Sequence, residues 1–198
     1  MSNPGCWPQG VIAVLRPLIT AGLLPANYPV TITGISGYSG GGKSMIESYE
    51  AGAAPNFELY GLGLTHKHLP ELQKFSNLDQ RPIFVPSVGN FKQGMLVSVP
   101  LYLDHLEGKP KATDLHAALV DRYEGCDLIR VVPLNDASIT SGRLEAESLN
   151  NTDKLEIRVY AHEVHRQAVL VAKLDNLGKG ASGAAVQNLK LMVGLASA

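Results

Sequence analysis

Cys6 stands in "NPGCWPQG", immediately ahead of a run of apolar residues at helical spacing. A thiol at a helix start meets unpaired N–H groups and the positive end of the dipole, and both favour the thiolate. Cys6 is therefore a candidate nucleophile, against the plainer role of a small buried residue. The stretch "THKHLPE" adds His66 and His68, with Glu71 three positions further on. At the start of a helix one imidazole can exchange a proton with a nearby thiol while the other meets an acidic ligand. Solvated cap residues are the competing reading. An H-x-H pair can also ligate a metal, but no cluster of His, Cys or carboxylates accompanies it, and no metal is expected. Cys126, in "YEGCDLI", has no such setting and reads as a buried structural residue.

A second candidate is the loop "GISGYSGGGKS", in which Gly37 to Ser44 fits the phosphate-loop pattern G-x-x-x-x-G-K-S. A strand before it and a helix after it can both be argued. The helix, however, has room for only about two turns before Gly52 and Pro55, whereas the motif normally launches a long crossover. The acidic partner such a site needs would be Asp175, after "AVLVAKL". Nucleotide hydrolysis is thus the weaker reading. Glycines and serines beside a lysine expose backbone N–H donors, which makes the loop a candidate surface for an anion of any kind. Arg143 and Lys92 are further candidates, or ordinary exposed charges.

The elements that must position these groups follow from periodicity. Residues 7–22 have apolar residues at helical spacing, with Pro8 in the first turn and Gly22 at the end; Pro17 must kink the helix or lie on a tolerant face. "YPVTITGIS", "NFELYGLGL", "RPIFVPSVG", "GMLVSVPLYL", "DLIRVVPL", "KLEIRVYAHE" and "RQAVLVAKLDN" read as strands, the last apolar enough to be central. The prolines in "RPIFVPSVG" and "GMLVSVPLYL" predict edges or bulges. Helices are expected in "KSMIESYEAG", in "THKHLPELQKFS" with its cap at or near Thr65, in "TDLHAALVDRYEG", and in the closing "GKGASGAAVQNLKLMVGLA". Residues 135–154 form a loop or irregular hairpin. The pattern is α+β, a mixed, largely antiparallel sheet with helices on one face.

Composition narrows the class. The chain has 198 residues, 45% hydrophobic and 18% charged, with net charge −1 and no run of either sign. A packed core is expected, and neither a nucleic-acid arm nor a polybasic membrane patch is present. No apolar stretch approaches the roughly 20 residues that cross a bilayer, and the first residues lack a signal-peptide pattern. Two cysteines far apart form no disulfide framework, so a reducing, cytoplasmic setting is expected.

Five segments, "NPGCWPQG", "SGYSGGGKS", "LYGLGLTHKHLPE", "PSVGNFKQGMLVSVPL" and "DNLGKGASGAAVQN", taken in this order, resemble N-acetyl-γ-glutamyl-phosphate reductase, nearer the shorter of its two types. The resemblance implies a catalytic domain like those of glyceraldehyde-phosphate and aspartate-semialdehyde dehydrogenases. It implies that Cys6 attacks the acyl phosphate to give a thioester, that NADPH delivers hydride, and that N-acetylglutamate semialdehyde, an arginine precursor, is released. It makes His68 the acid/base with His66 beside it. It turns Ser39, Gly40 and Lys43, with Arg143 as a further candidate, toward the phosphate or carboxylate of the substrate. Residues 1–176 become a catalytic and dimerisation domain. Residues 177–198 become a closing helix that packs against an NADP-binding domain, with Gly180, Ser182 and Asn188 toward the cofactor. A homo-oligomer, dimer or tetramer, is expected. Trp7 and Gln9 depart from the tyrosine and threonine usual there. No G-x-G-x-x-G fingerprint opens a βαβ unit, and the family places its cofactor domain before the cysteine. The sequence thus reads as the catalytic portion, expected to bind NADPH poorly and not to turn over alone. The alternative is a non-catalytic binding or assembly module on the same fold.

Overall fold

The computed structural model describes residues 3–195. Its centre is a seven-stranded mixed sheet of order β2-β3-β1-β4-β7-β6-β5. The strands are β1 (Thr31–Gly37), β2 (Phe57–Leu59), β3 (Ile83–Gly89), β4 (Met95–Tyr102), β5 (Ile129–Val131), β6 (Leu155–His162) and β7 (Gln167–Leu174). Pairs β1–β3 and β5–β6 are parallel and the other four are antiparallel. β7 is central, as its apolar sequence predicts. Alternate residues of the long strands, among them Met95, Val97, Ile157, Val159, Leu170 and Ala172, point into one core, the period-2 signature of a sheet covered on one face.

That face is covered by α1 (Cys6–Thr20), which packs on β4 and β7, and by α4 (Ala112–Tyr123), which packs on β5 and β6. α3 (Leu69–Ser76) lies against α1. Shorter pieces are α2 (Lys43–Glu50), α5 (Ala137–Thr140) and α6 (Gly183–Met192), the last preceded by a π-helical turn at Gly178–Ser182. The opposite face is open over Tyr102 and Val169, 55% and 38% exposed. Part of it is clasped by the segment that carries α5. There the buried Lys173 and Arg158 share Glu156, and they also reach Ser148 and Ser138 at 2.6 Å each.

Several expectations are corrected. The prolines lie in interior strands, not edges. Pro86 pairs with Gly34 in the middle of β3, but β2 ends at Leu59 opposite Ser87, so no ladder partner is lost there. Pro100 pairs with Val169, and the β1 ladder stops at Thr33–Ser98 before reaching it. The strand in "NFELYGLGL" shrinks to three residues because the chain turns at Gly61 (φ 63°) and Leu64 (φ 56°), left-handed positions that end an extended run. α3 is capped at His68, not Thr65; Pro70, which has no N–H to cap and suits the first turn, moves the start later. Cys126 is exposed, on the loop that leaves α4 through Gly125 at φ 73°.

Pro17 sits inside α1, and the structure shows why the helix survives it. Proline removes the N–H that would bond to the carbonyl four residues back, here Ala13. The hydroxyl of Tyr123, in the last turn of α4, donates to that carbonyl at 2.7 Å. Removing the donor by Tyr123→Phe leaves a helix carbonyl unsatisfied, which costs about 1–3 kcal/mol. Urea denaturation measures it; a loss below about 0.3 kcal/mol would mean the kink needs no such partner.

Candidate active site

Gly5 is the N-cap of α1, with φ −66° and ψ 164°, and Cys6 is the first helical residue. The Gly5 N–H donates to both carboxylate oxygens of Glu71, at 3.1 and 3.4 Å. Glu71 lies in the first turn of α3, so this bond ties the starts of two helices together. The same closeness brings the His68 ring against Gly5: a Cβ placed there would fall 2.3 Å from His68 Nε2. From the other side, the π-helical turn presses Gly180 on the thiol residue, and a Cβ at 180 would lie 2.9 Å from that of Cys6. Gly180 is held by its N–H to the Asp175 carbonyl at 2.8 Å.

Cys6, His66 and His68 open into one cavity of about 650 Å³, together with Ser39, Gly40, Tyr60, Asn176, Gly180 and Ser182. The sequence reading thus finds its thiol, both imidazoles, the Ser39–Gly40 pair and two closing-segment residues in one place. Three other candidates lie elsewhere. Lys43 points to solvent, 89% exposed, and pairs with Glu47 at 3.7 Å. Arg143 is exposed on the segment after α5. Asn188 is half-buried and donates to Asn3 Oδ1 at 2.7 Å. Two residues unmarked in the sequence line the cavity. Tyr60 accepts the Trp7 indole N–H at 3.1 Å. Asn176 follows β7 and is 2% exposed. A polar residue ending an apolar strand beside a glycine-rich turn was the available signal for the latter, but it pointed equally to Asp175.

The phosphate-loop reading does not survive. N–H groups of Gly37, Tyr38 and Ser39 donate to the carbonyls of Gly94, Phe91 and Lys92 at 2.9 to 3.0 Å, so they do not face an anion. Asp175 is 1% exposed and accepts from the Asn151 and Leu177 N–H groups and from Gln93. Asp175 braces the turn below the cavity.

Electrostatics correct a second expectation. Burial pushes the Cys6 thiol above its ordinary range, outweighing the N–H groups of Trp7 and Cys6 and the charge of Lys67, which act to lower it. Helix-start stabilisation is present but smaller than desolvation. Burial, helped by the charges of His66 and Lys67, takes His68 from 6.5 down to about 4. His66 is lowered by burial and by Lys67. His68 Nδ1 is buried with no hydrogen-bond partner. The resting pair is therefore thiol and neutral imidazole. Such an imidazole can accept a proton.

The family profile "Semialdehyde dehydrogenase, dimerisation domain" matches residues 6–176. The chain belongs to this semialdehyde dehydrogenase family. It is 55% identical over 197 residues to the N-acetyl-gamma-glutamyl-phosphate reductase of Chelativorans sp. (strain BNC1), covering 98% of this chain and 63% of that protein. It is 54% identical over 200 residues to the enzyme of the same name from Brucella ovis, covering 98% and 64%. The chain thus spans under two thirds of the length of these relatives. Among solved structures, aspartate semialdehyde dehydrogenase II from Vibrio cholerae superimposes with TM-score 0.69 at 19% identity, over 98% of this chain and 62% of that one. The Francisella tularensis enzyme gives 0.68 at 12%, over 96% and 63%. These two establish the fold, a mixed sheet with helices of the semialdehyde dehydrogenase type. No helix among the described residues is long and apolar enough to cross a membrane.

Two outcomes follow from the burial. Unfolded His68 takes up a proton near pH 6.5 that folded His68 refuses until about pH 4, so stability is lost as pH falls between these values. His68→Gln flattens that stretch of the denaturation profile; an unchanged profile would mean that another group causes the loss. Near neutral pH, iodoacetamide modifies exposed Cys126 faster than Cys6 in the resting chain, and the Cys6 rate keeps rising with pH beyond the ordinary thiol range. Mass-mapped alkylation reads both, and a Cys6 rate already level at pH 7 would contradict the burial argument.

Proposed function

We propose that this chain is the acyl-transfer portion of an N-acetyl-γ-glutamyl-phosphate reductase. The observation that carries the reading is the meeting of Cys6 with both imidazoles in one cavity walled by Gly180. Relatives at 54–55% identity bearing that name support it.

An acyl phosphate arrives activated, so the chain needs a thiolate, a proton acceptor and donors for developing charge. Neutral His68 takes the Cys6 proton. The sulfur then attacks the acyl carbon, a C–S bond forms, the bond from carbon to the phosphate oxygen breaks, and phosphate leaves with that electron pair. Ser39 and Gly40 face the anionic end of the substrate. When the thioester is reduced and the hemithioacetal collapses, the sulfur leaves as thiolate and takes the proton back from His68. His66 stands beside His68 against Tyr60 and Phe84 and keeps the second imidazole in place.

The residues present fit the nicotinamide end of NADPH. Gly180, Ala181, Ser182 and Ala185 give the cavity a wall of small side chains next to Cys6, room for a flat ring. NADPH, when bound, supplies the hydride for the thioester carbon. Of the closing segment 177–198, residues 177–195 act on that side and 196–198 lie outside the described residues; residues 1–176, of which 3–176 are described, act as the catalytic and dimerisation unit. The open sheet face around Val169 and Tyr102 takes a second copy, giving a dimer or tetramer. A reduced Cys6 suits the cytoplasm.

The 198-residue chain performs the first half-reaction and does not turn over with NADPH by itself. Incubation with N-acetyl-γ-glutamyl phosphate and no NADPH releases about one phosphate per chain and leaves an acyl group on Cys6. Cys6→Ser abolishes the burst, Cys126→Ser keeps it, and His68→Ala slows it by 10²–10⁴-fold, the usual scale of general base catalysis. Acylation that spares Cys6 would sink the proposal.

A further inference from the structure

Asn176 is nearly fully buried, lines the Cys6 cavity, and has no part in the steps above. Its Oδ1 accepts the Gly94 backbone N–H at 2.8 Å. Its Nδ2 donates to Ser39 Oγ at 3.0 Å. The orientation of this amide is forced. A backbone N–H can only donate, so the atom facing Gly94 is the oxygen and the other end is the NH₂. Ser39 Oγ must then accept, which leaves its own proton for a further partner. Among the described residues no hydrogen bond takes that proton, and Ser39 lines the cavity with Gly40 and Gly41. Its backbone is fixed as well, through Ser39 N–H to the Lys92 carbonyl at 3.0 Å.

We propose that Asn176 is a positioning residue that turns the Ser39 hydroxyl proton toward an anionic oxygen of the ligand beside Cys6. A free serine hydroxyl rotates and can present a lone pair, which repels a phosphate or carboxylate oxygen. The relay from Gly94 through Asn176 fills one of the two Oγ lone pairs before the ligand arrives and so biases the O–H toward the cavity, which is pre-organisation of the kind that stabilises developing charge. The identity of the ligand as an acyl phosphate rests on the function proposed above. The direction of the donor is a property of the cavity.

The test compares alkylation of Cys6 by iodoacetate and by iodoacetamide in the full chain carrying Cys126→Ser. The two reagents share a leaving group and differ by one negative charge. Ser39→Ala lowers the iodoacetate rate about tenfold relative to the iodoacetamide rate, the scale of one charge-assisted hydrogen bond. Asn176→Ala lowers the ratio similarly, and adding it to Ser39→Ala changes the ratio no further. Should Asn176→Ala fail to fold, Asn176→Asp still serves Gly94 and accepts the Ser39 proton; its effect must shrink when Ser39 is already alanine. Rates for both reagents moving together, or a ratio that survives Ser39→Ala, would overturn the proposal. Neither reagent is an acyl phosphate, so a chain that fails the acylation test above still gives a decisive ratio here.

Discussion

Two close approaches, at Gly5 and Gly180, set the geometry on which the rest of the site depends. Any side chain at 5 would enter the His68 ring, and any at 180 would enter the Cβ of Cys6. Each contact is the end of a longer chain of packing. α1 reaches its place by burying Val11, Leu15 and Leu18 against the sheet, and α3 reaches its place by burying Leu69 and Leu72 against α1. The Glu71 carboxylate then binds the cap of α1, which brings the first turn of α3 to the thiol. The π-helical turn after β7 closes the other side. A turn of this kind widens the backbone by one residue and is common where a helix must serve a site. Here it brings a glycine against the Cβ of Cys6 while Asp175 braces it from beneath.

The thiol environment shows two forces of opposite sign, and their relative size sets the chemistry. N–H groups at the start of α1 favour charge on the sulfur, whereas burial between α3 and the π-helical turn opposes it. Burial is larger. It also holds His68 neutral. A site of this kind holds its sulfur protonated and its imidazole neutral at rest.

What the sequence disclosed follows from which interactions are local. Cys6 before an apolar helical run, the H-x-H pair ahead of Pro70, and the alternation along β4, β6 and β7 are all short-range patterns, and each lies where its pattern placed it. Lys43 was misjudged because a glycine-rich run says how the backbone can turn but not where its N–H groups point. Those of Gly37 to Ser39 are taken by the turn between β3 and β4, more than 50 residues away, and the lysine is left to pair with Glu47. Asn176 and Tyr60 were hidden for a related reason: their partners, Ser39 with Gly94 and Trp7, are distant in sequence. Pro86 and Pro100 suggest edges or bulges, yet each merely needs one unpaired side, and an interior strand provides that wherever its neighbour ends early.

The same consideration bears on the anion-binding expectation for the loop, of which Ser39 and Gly40 line the cavity. The expectation rested on many free backbone donors and one cation. The cavity instead offers a hydroxyl that accepts from an amide, itself oriented by a single backbone N–H. A charge on a flexible lysine attracts any anion from a distance but fixes none. A hydroxyl held from behind acts only at contact, and it favours an acceptor atom at one position. For a reaction in which the carbonyl carbon must lie against one sulfur, position is the scarcer requirement. That favours short, buried, neutral groups over exposed charge next to Cys6.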